Sequence, residues 1–93
     1  MWFKPTSAEA LRKKGSELIV QGNYRRALTH LERAILLDPG DLSTYNDKAL
    51  ALLGLVRNEE ALACCDEILA RDPDNRMAKT TKSSTVWHSQ NGL

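Results

Sequence analysis

Cys64 and Cys65 are the pair of side chains best suited to bind a metal or to do redox chemistry, and His30 and His88 are the two imidazoles. Neighbouring residues of a helix point about 100° apart, so the two thiolates do not converge easily on one ion. Cys65 instead falls on an apolar stripe, where a cysteine packs as a small hydrophobic residue. The sequence therefore predicts two packing cysteines, no metal site and no cofactor.

The histidines do not complete a catalytic set. A nucleophile, a base and an orienting group would have to come from different helices on a shallow surface that does not exclude water. The five glycines, at positions 15, 22, 40, 54 and 92, form no phosphate-binding loop. We therefore expect no catalytic residues and a protein that is not an enzyme.

Overall charge excludes broad classes of partner. The 93 residues carry 13 basic and 12 acidic side chains, for a formal net charge of +1. This balance favours neither nucleic acid nor a membrane surface, and the aromatic residues are not interleaved with the basic ones. The two adjacent cysteines build no disulfide framework, and the N-terminus lacks the pattern of a secretory signal. We expect a cytoplasmic protein.

Charge is distributed unevenly along the chain. Residues 1–40 carry seven basic and four acidic groups, residues 41–75 carry three and eight, and residues 76–93 carry three and none. A solvated helix surface accounts for this pattern without any ligand. A sharper interpretation is that the basic first part, with Arg12–Lys14 and Arg25–Arg26, docks on an acidic partner or on the acidic part of another copy.

The sequence repeats itself with a period of 34 residues. Shifted by that period, residues 8–41 align with residues 42–75, and six positions are identical. These are Lys14/Lys48, Leu18/Leu52, Ala27/Ala61, Leu28/Leu62, Asp38/Asp72 and Pro39/Pro73. The matches fall on helix-packing positions and on the Asp-Pro that ends each unit, as expected for a repeat architecture.

Each unit predicts two helices. In the first unit Thr6 opens a capping box, with Ser7 as the alternative N-cap, and Gly22 marks the break between the helices. In the second unit Asp41 is the predicted N-cap and the break falls near Gly54–Arg57. Apolar residues at helical spacing separate these signals.

The residues after the second unit predict a fifth helix over Asn75–His88. Its candidate face consists of Met77, Thr80, Ser84 and Trp87. A run of serine and threonine lowers helix propensity there, because their hydroxyls compete for the backbone. The expected divisions are an N-terminal lead (1–7), two repeats (8–41 and 42–75), a capping helix (76–88) and a frayed tail (89–93).

With these features the chain resembles the tetratricopeptide repeat (TPR) family over residues 8–75. The first unit carries the family pattern at Leu11, Gly15, Leu18, Ala27, Leu31, Ala34 and Pro39. The second unit carries it at Tyr45, Ala49, Leu52, Ala61, Cys65, Ile68 and Pro73. The resemblance implies an all-α solenoid of two helix-turn-helix repeats. Because such stacks need about three repeats, the fifth helix or another chain is expected to cover an end.

The resemblance also implies a binding surface. TPR proteins receive peptides or helices along a concave groove lined by the first helix of each repeat. Carried onto this sequence, the groove consists of Glu9, Arg12, Ser16, Ile19, Val20, Asn46, Leu50, Leu53 and Met77. Its apolar part suits an amphipathic helix or peptide, or burial by self-association.

One subclass of the family grips the C-terminal carboxylate of chaperone peptides with lysine, asparagine and arginine side chains. The matching positions here are Arg12, Ser16, Asp47, Met77 and Thr81. Arg12 keeps a suitable cation, whereas Asp47 would repel a carboxylate. We therefore expect no carboxylate clamp of this kind.

Together these observations predict a single all-α TPR domain that binds a protein partner on its concave face, with acidic proteins among the candidate partners. The alternative is a scaffold module that forms a homo-oligomer through the same surface. Nucleic acid and membranes are not expected partners.

Overall fold

The computed structural model describes the backbone of residues 7–90 and the side chains of residues 7–85. It contains five α-helices: α1 (Ala8–Val20), α2 (Tyr24–Leu37), α3 (Leu42–Gly54), α4 (Asn58–Arg71) and α5 (Arg76–Gln90). No strand occurs within residues 7–90, which confirms the all-α prediction. Over the same residues, no helix combines the length and the hydropathy needed to cross a bilayer.

Side-chain caps fix where three of the helices begin. The Ser7 hydroxyl accepts a hydrogen bond from the Ala10 amide at 3.1 Å, so the alternative N-cap holds α1 and the one predicted at Thr6 is wrong. Ser7 directly precedes the first helical residue, where a cap must stand to reach the free amides. Asp41 caps α3 as predicted, and Asn75 accepts from the Ala78 amide at 2.9 Å to start α5.

A left-handed residue separates the two helices of each repeat. Gly22 has φ 79° in the first repeat, and Val56, one period later, has φ 59° in the second. Gly54, at the edge of the predicted break, is the last residue of α3. It is needed there for space, because a Cβ at this position would come within 2.5 Å of the Tyr24 ring.

Small residues let the helices approach closely enough to form one core. A Cβ on Gly15 would lie 2.6 Å from the Leu31 side chain, so glycine at this position lets α1 and α2 pack closely without displacing Leu31. Ala27, Ala49 and Ala61 are fully buried. Larger side chains, among them Leu18, Leu52 and Ile68, fill the space between these contacts.

α5 packs through a face that the sequence pattern did not single out. Ala78 and Thr85 are the residues buried on this helix, and the Thr85 hydroxyl donates to the Thr81 carbonyl at 2.8 Å. Met77, on the predicted face, stays exposed. The helix runs two residues past the predicted end at His88, to Gln90. No breaker precedes Asn91–Gly92, which lie outside the described residues.

The stack curves toward the first helix of each pair. α1 contacts α3, and α3 contacts α5, whereas the Cα traces of α2 and α4 stay more than 8 Å apart. The helices are therefore closer to one another on the α1–α3–α5 side than on the α2–α4 side. The α1–α3–α5 side forms the inner, concave face of the molecule.

Candidate protein-binding groove

The inner groove is the surface formed by α1, α3 and α5 on the concave side. We define it by Glu9, Arg12, Ser16, Ile19, Val20, Asn46, Asp47, Leu50, Leu53, Met77, Thr80 and Thr81. Residues three or four apart on each helix share one face, which is why these positions lie along the same side. On α1 and α3 the polar groove residues lie toward the start of the helix and the apolar ones toward its end, and Met77 adds an apolar side chain at the start of α5.

Hydrogen bonding and ion pairing between polar residues join α1 to α3. The Ser16 hydroxyl donates to Asp47 Oδ2 at 2.9 Å. Arg12 Nε lies 3.6 Å from Asp41 Oδ2, while Asp41 Oδ1 accepts from the Ser43 amide at 3.0 Å. Asp41 therefore caps α3 and holds the Arg12 guanidinium at the same time.

Burial acts on the charge of Asp47. This carboxylate is half-buried, and desolvation raises its pKa above the usual aspartate value. The hydrogen bond from Ser16 and the positive charge of Arg12 oppose that rise, whereas the negative charge of Asp41 adds to it. A partly desolvated negative charge thus lies between the first two helices of the groove.

The apolar side chains of the groove are partly open to solvent. Val20 is 87% exposed and Met77 56% exposed, and Leu50 is 37% exposed. Ile19 and Leu53 are partly buried and pack against the central core. Apolar side chains that together form a continuous exposed surface would mark an interaction site.

Two predicted polar groove residues differ in how much of the side chain a partner could reach. Asn46 is 7% exposed and offers a partner little surface. Glu9 is exposed and pairs with Lys13 one turn along the same helix, at 3.5 Å. Exposed pairs of this kind contribute little free energy, so Glu9 remains available to solvent or a partner.

α5 adds a hollow that the sequence reasoning did not anticipate. It measures about 230 Å³ and is lined by Arg76, Met77, Thr80 and Thr81. Met77 was predicted as a groove residue. Thr80 was placed on the candidate face of the fifth helix and Thr81 at a clamp position, so Arg76, at the start of α5, is the lining residue that the sequence did not single out.

The five positions that match the carboxylate clamp lie on the inner helices with a different chemistry. Ser16 and Asp47 are hydrogen-bonded to each other, and Arg12 is paired with Asp41. Met77 and Thr81 carry no positive charge. The central side chain is thus a carboxylate where the clamp needs a donor.

Both cysteines are buried as free thiols, away from the groove. Cys65 has no exposed surface and Cys64 is nearly covered. Burial raises the pKa of each thiol, so both stay protonated and weakly reactive at neutral pH. Within the described residues, no group of three or more histidine, cysteine or acidic side chains is arranged to hold a metal ion.

A second depression, of about 300 Å³, lies between α3 and α4. Its lining consists of Tyr45, Lys48, Leu52, Glu60, Ala63, Cys64 and Glu67. The charged groups at its rim are paired within the chain: Lys48 with Glu32, Glu60 with Arg57, and Glu67 with Arg71. These pairs leave the rim without a clear preference for a charged ligand.

Comparisons with known proteins agree with the repeat architecture. The family model described as tetratricopeptide repeat matches residues 12–76. Human mitochondrial import receptor subunit TOM34 is 32% identical over 68 residues, which is 73% of this chain and 22% of that protein. The DnaJ homolog subfamily C member 7 homolog of Schizosaccharomyces pombe is 38% identical over 68 residues, covering 69% of this chain and 14% of that protein.

A longer sequence match and a structural match also agree with the repeat architecture. The Hsp70-Hsp90 organizing protein of Triticum aestivum is 28% identical over 86 residues, which is 92% of this chain and 15% of that protein. The second TPR domain of human RPAP3, solved with the HSP70 peptide SGPTIEEVD, superposes with a TM-score of 0.82 at 22% identity. That match covers 86% of this chain and 67% of the RPAP3 chain.

The chain spans 22% or less of the length of these curated relatives. The matched family model covers more than half of the sequence, and the helical stack has the corresponding fold. This chain therefore belongs to the tetratricopeptide repeat family.

Proposed function

We propose that the chain is a non-catalytic module that binds a peptide or helical segment of another protein in the inner groove. The observation that carries this proposal is the solvent-open apolar surface on one face, with Val20 and Met77 more than half exposed at its two ends. A segment laid across α1, α3 and α5 would bury this surface, which is the favourable term that drives such binding. The HSP70 peptide bound to the RPAP3 domain supports a peptide ligand for this fold.

The test is a selection of random peptides of about 16 residues displayed on phage against the immobilised chain. We expect the selection to enrich particular peptide sequences. Synthetic peptides with these sequences should bind the double variant Val20→Ser/Met77→Ser about tenfold more weakly than the parent chain, because two apolar contacts are removed. Both side chains are exposed, so the fold should survive the change, which thermal unfolding checks.

The matched control is Leu36→Ser/Leu37→Ser, which removes two exposed apolar side chains at the end of α2, away from the groove. Peptide affinity should be unchanged in this control. Equal affinity of the selected peptides for the parent and for the groove variant would contradict the proposal.

We also propose that the groove does not act as a carboxylate clamp, because of the charge of Asp47 and the loss of cations at Met77 and Thr81. The peptide SGPTIEEVD should bind the parent no better than about 1 mM. The variant Asp47→Asn/Met77→Lys/Thr81→Arg should gain at least about tenfold affinity, since one repulsive charge is removed and two cations are added. Tight binding by the parent chain would overturn this proposal.

Self-association is the second candidate function, and the uneven charge supports it. Residues 1–40 carry an excess of basic groups, and residues 41–75 an excess of acidic ones. Two copies could therefore pair first repeat against second repeat. Such contacts between exposed charges weaken with salt, so sedimentation at low and high ionic strength separates this function from peptide binding.

A further inference from the structure

Asp47 is a carboxylate of the inner groove that makes a hydrogen bond but no ion pair with the described side chains. Building on the proposed binding function, we propose that this carboxylate makes the inner groove selective for a segment that carries a lysine or arginine side chain beside apolar ones. The occupant is thus a basic amphipathic segment of another protein.

Local charge supports this choice of partner. Arg12 is engaged by Asp41, and Lys13 is engaged by Glu9 on the same helix. Among residues 7–85, no basic nitrogen lies within 4.0 Å of the Asp47 carboxylate, whose polar contact is the neutral Ser16 hydroxyl. Asp47 is therefore the groove carboxylate that has no ion-pair partner within 4.0 Å among the described side chains, whereas Glu9 pairs with Lys13.

Hydrogen bonding leaves part of this carboxylate available. The Ser16 hydroxyl reaches Oδ2, and within residues 7–85 no hydrogen bond to Oδ1 is formed. Asp47 is partly stripped of water yet lacks an ion-pair partner in the described chain. A cationic side chain supplied by a ligand would provide that partner, and charge-assisted hydrogen bonds to carboxylates are among the stronger polar contacts.

The apolar neighbours define what must flank the cation. Leu50 lies three residues after Asp47 on α3 and therefore on the same face, and Met77 lines the hollow on α5. A lysine or arginine can lay its aliphatic stem on such surface while its charged end reaches the carboxylate. An acidic segment would bring like charges together at the centre of the groove, which disfavours it.

Composition of the peptides selected on phage is the first part of the test. We expect lysine or arginine to be enriched between apolar residues when the parent chain is the bait. That enrichment should disappear when the bait is Asp47→Asn, which keeps an acceptor for Ser16 and removes the charge. It should persist with Glu59→Gln, a matched change of charge at an exposed residue in the first turn of α4.

Calorimetric titration of one selected peptide completes the test. Replacing its basic residue by norleucine should weaken binding to the parent and to Glu59→Gln about fivefold. The same replacement should weaken binding to Asp47→Asn less than about twofold. Thermal unfolding of the three proteins verifies that each is folded.

The outcomes separate this inference from the function on which it rests. Selected peptides without basic residues, or a norleucine effect that is equal in Asp47→Asn, would overturn the inference and leave peptide binding in place. No enrichment with the parent chain would overturn both. A dimer that Asp47→Asn dissociates would assign the groove to a second copy and would also overturn the inference.

Discussion

Val56 adopts a left-handed backbone conformation that a β-branched residue disfavours. Its counterpart in the first repeat, Gly22, accepts the same conformation without a steric penalty. The backbone of the turn is nevertheless well bonded, with the Arg57 amide donating to the Leu52 carbonyl at 2.8 Å and the Val56 amide to the Leu53 carbonyl at 2.9 Å. The repeat architecture thus imposes the turn on a residue that does not favour it.

Replacing Val56 by glycine should therefore stabilise the protein by about 1 kcal/mol, because the strain is relieved and little buried surface is lost. Urea denaturation gives the measurement. Val20→Gly is the control, since Val20 is also largely exposed but helical, and it should cost about 0.5–1 kcal/mol. A loss of stability in Val56→Gly equal to that in the control would show that Val56 is not left-handed in solution.

Asp47 also makes a prediction about pH. Because its pKa is raised in the folded protein, the folded state binds the Asp47 proton more tightly than the unfolded state does. The resulting stabilisation is fully present below the unfolded pKa of about 3.9 and is lost as pH rises through the folded pKa. At neutral pH the ionised carboxylate is therefore a net cost.

Asp47→Asn should match the parent in stability near pH 3 and exceed it at pH 7, with the difference growing between those limits. Denaturant unfolding of both proteins across this range provides the test, and the difference between them removes the contribution of the other acidic groups. Ser16, Arg12 and Asp41 are the groups that act on Asp47, and all three remain in the variant. A constant difference across the range would contradict the burial of this charge.

At the scale of the helix, much of the architecture could be predicted because local signals repeat. The period of 34 residues, the Asp-Pro terminators and the alanines at 27 and 61 are enough to locate the pairs α1–α2 and α3–α4 along the chain. The N-caps of α1 and α3 could also be proposed from the sequence, since Ser7 and Asp41 are both residue types that favour the N-cap position. The sequence could not decide between Thr6 and Ser7 as the N-cap, because that choice depends on which residue begins the first helical turn.

Features that depend on tertiary contact escaped the sequence. Gly54 ends α3 near the predicted break, but the sequence did not reveal that the Tyr24 ring occupies the space where a side chain at this position would be. The buried face of α5 carries alanine and threonine, so hydrophobicity does not reveal it. The hydrogen bond between Ser16 and Asp47 joins residues 31 positions apart, and only the stacking of α1 on α3 brings them together.

The close approach of helices at Ala27 and Ala61 makes a test of the register. Both residues are fully buried, so Ala27→Leu and Ala61→Leu should each destabilise the protein by about 1–3 kcal/mol through overpacking. Ala70→Leu, at an exposed position on α4, should change stability by less than about 0.5 kcal/mol. If all three variants unfold at the same denaturant concentration, the helix register is wrong.

At the scale of the molecule, the proposed peptide-binding function requires the groove to be free in solution. Light scattering after size exclusion should give a constant monomer mass over about a hundredfold range of concentration. A mass that rises with concentration would favour self-association. The double variant Val20→Ser/Met77→Ser would then show whether the groove is the interface, because it should restore the monomer.

The staggered arrangement of contacts has a mechanical consequence. α1 touches α2 and α3 but not α5, so the first and last helices communicate only through α3 and its partners. A segment lying along the groove would contact all three inner helices at once and act as a brace between the two ends of the solenoid. We therefore expect a ligand in the groove to make the chain unfold more cooperatively, because it would stabilise α1, α3 and α5 together.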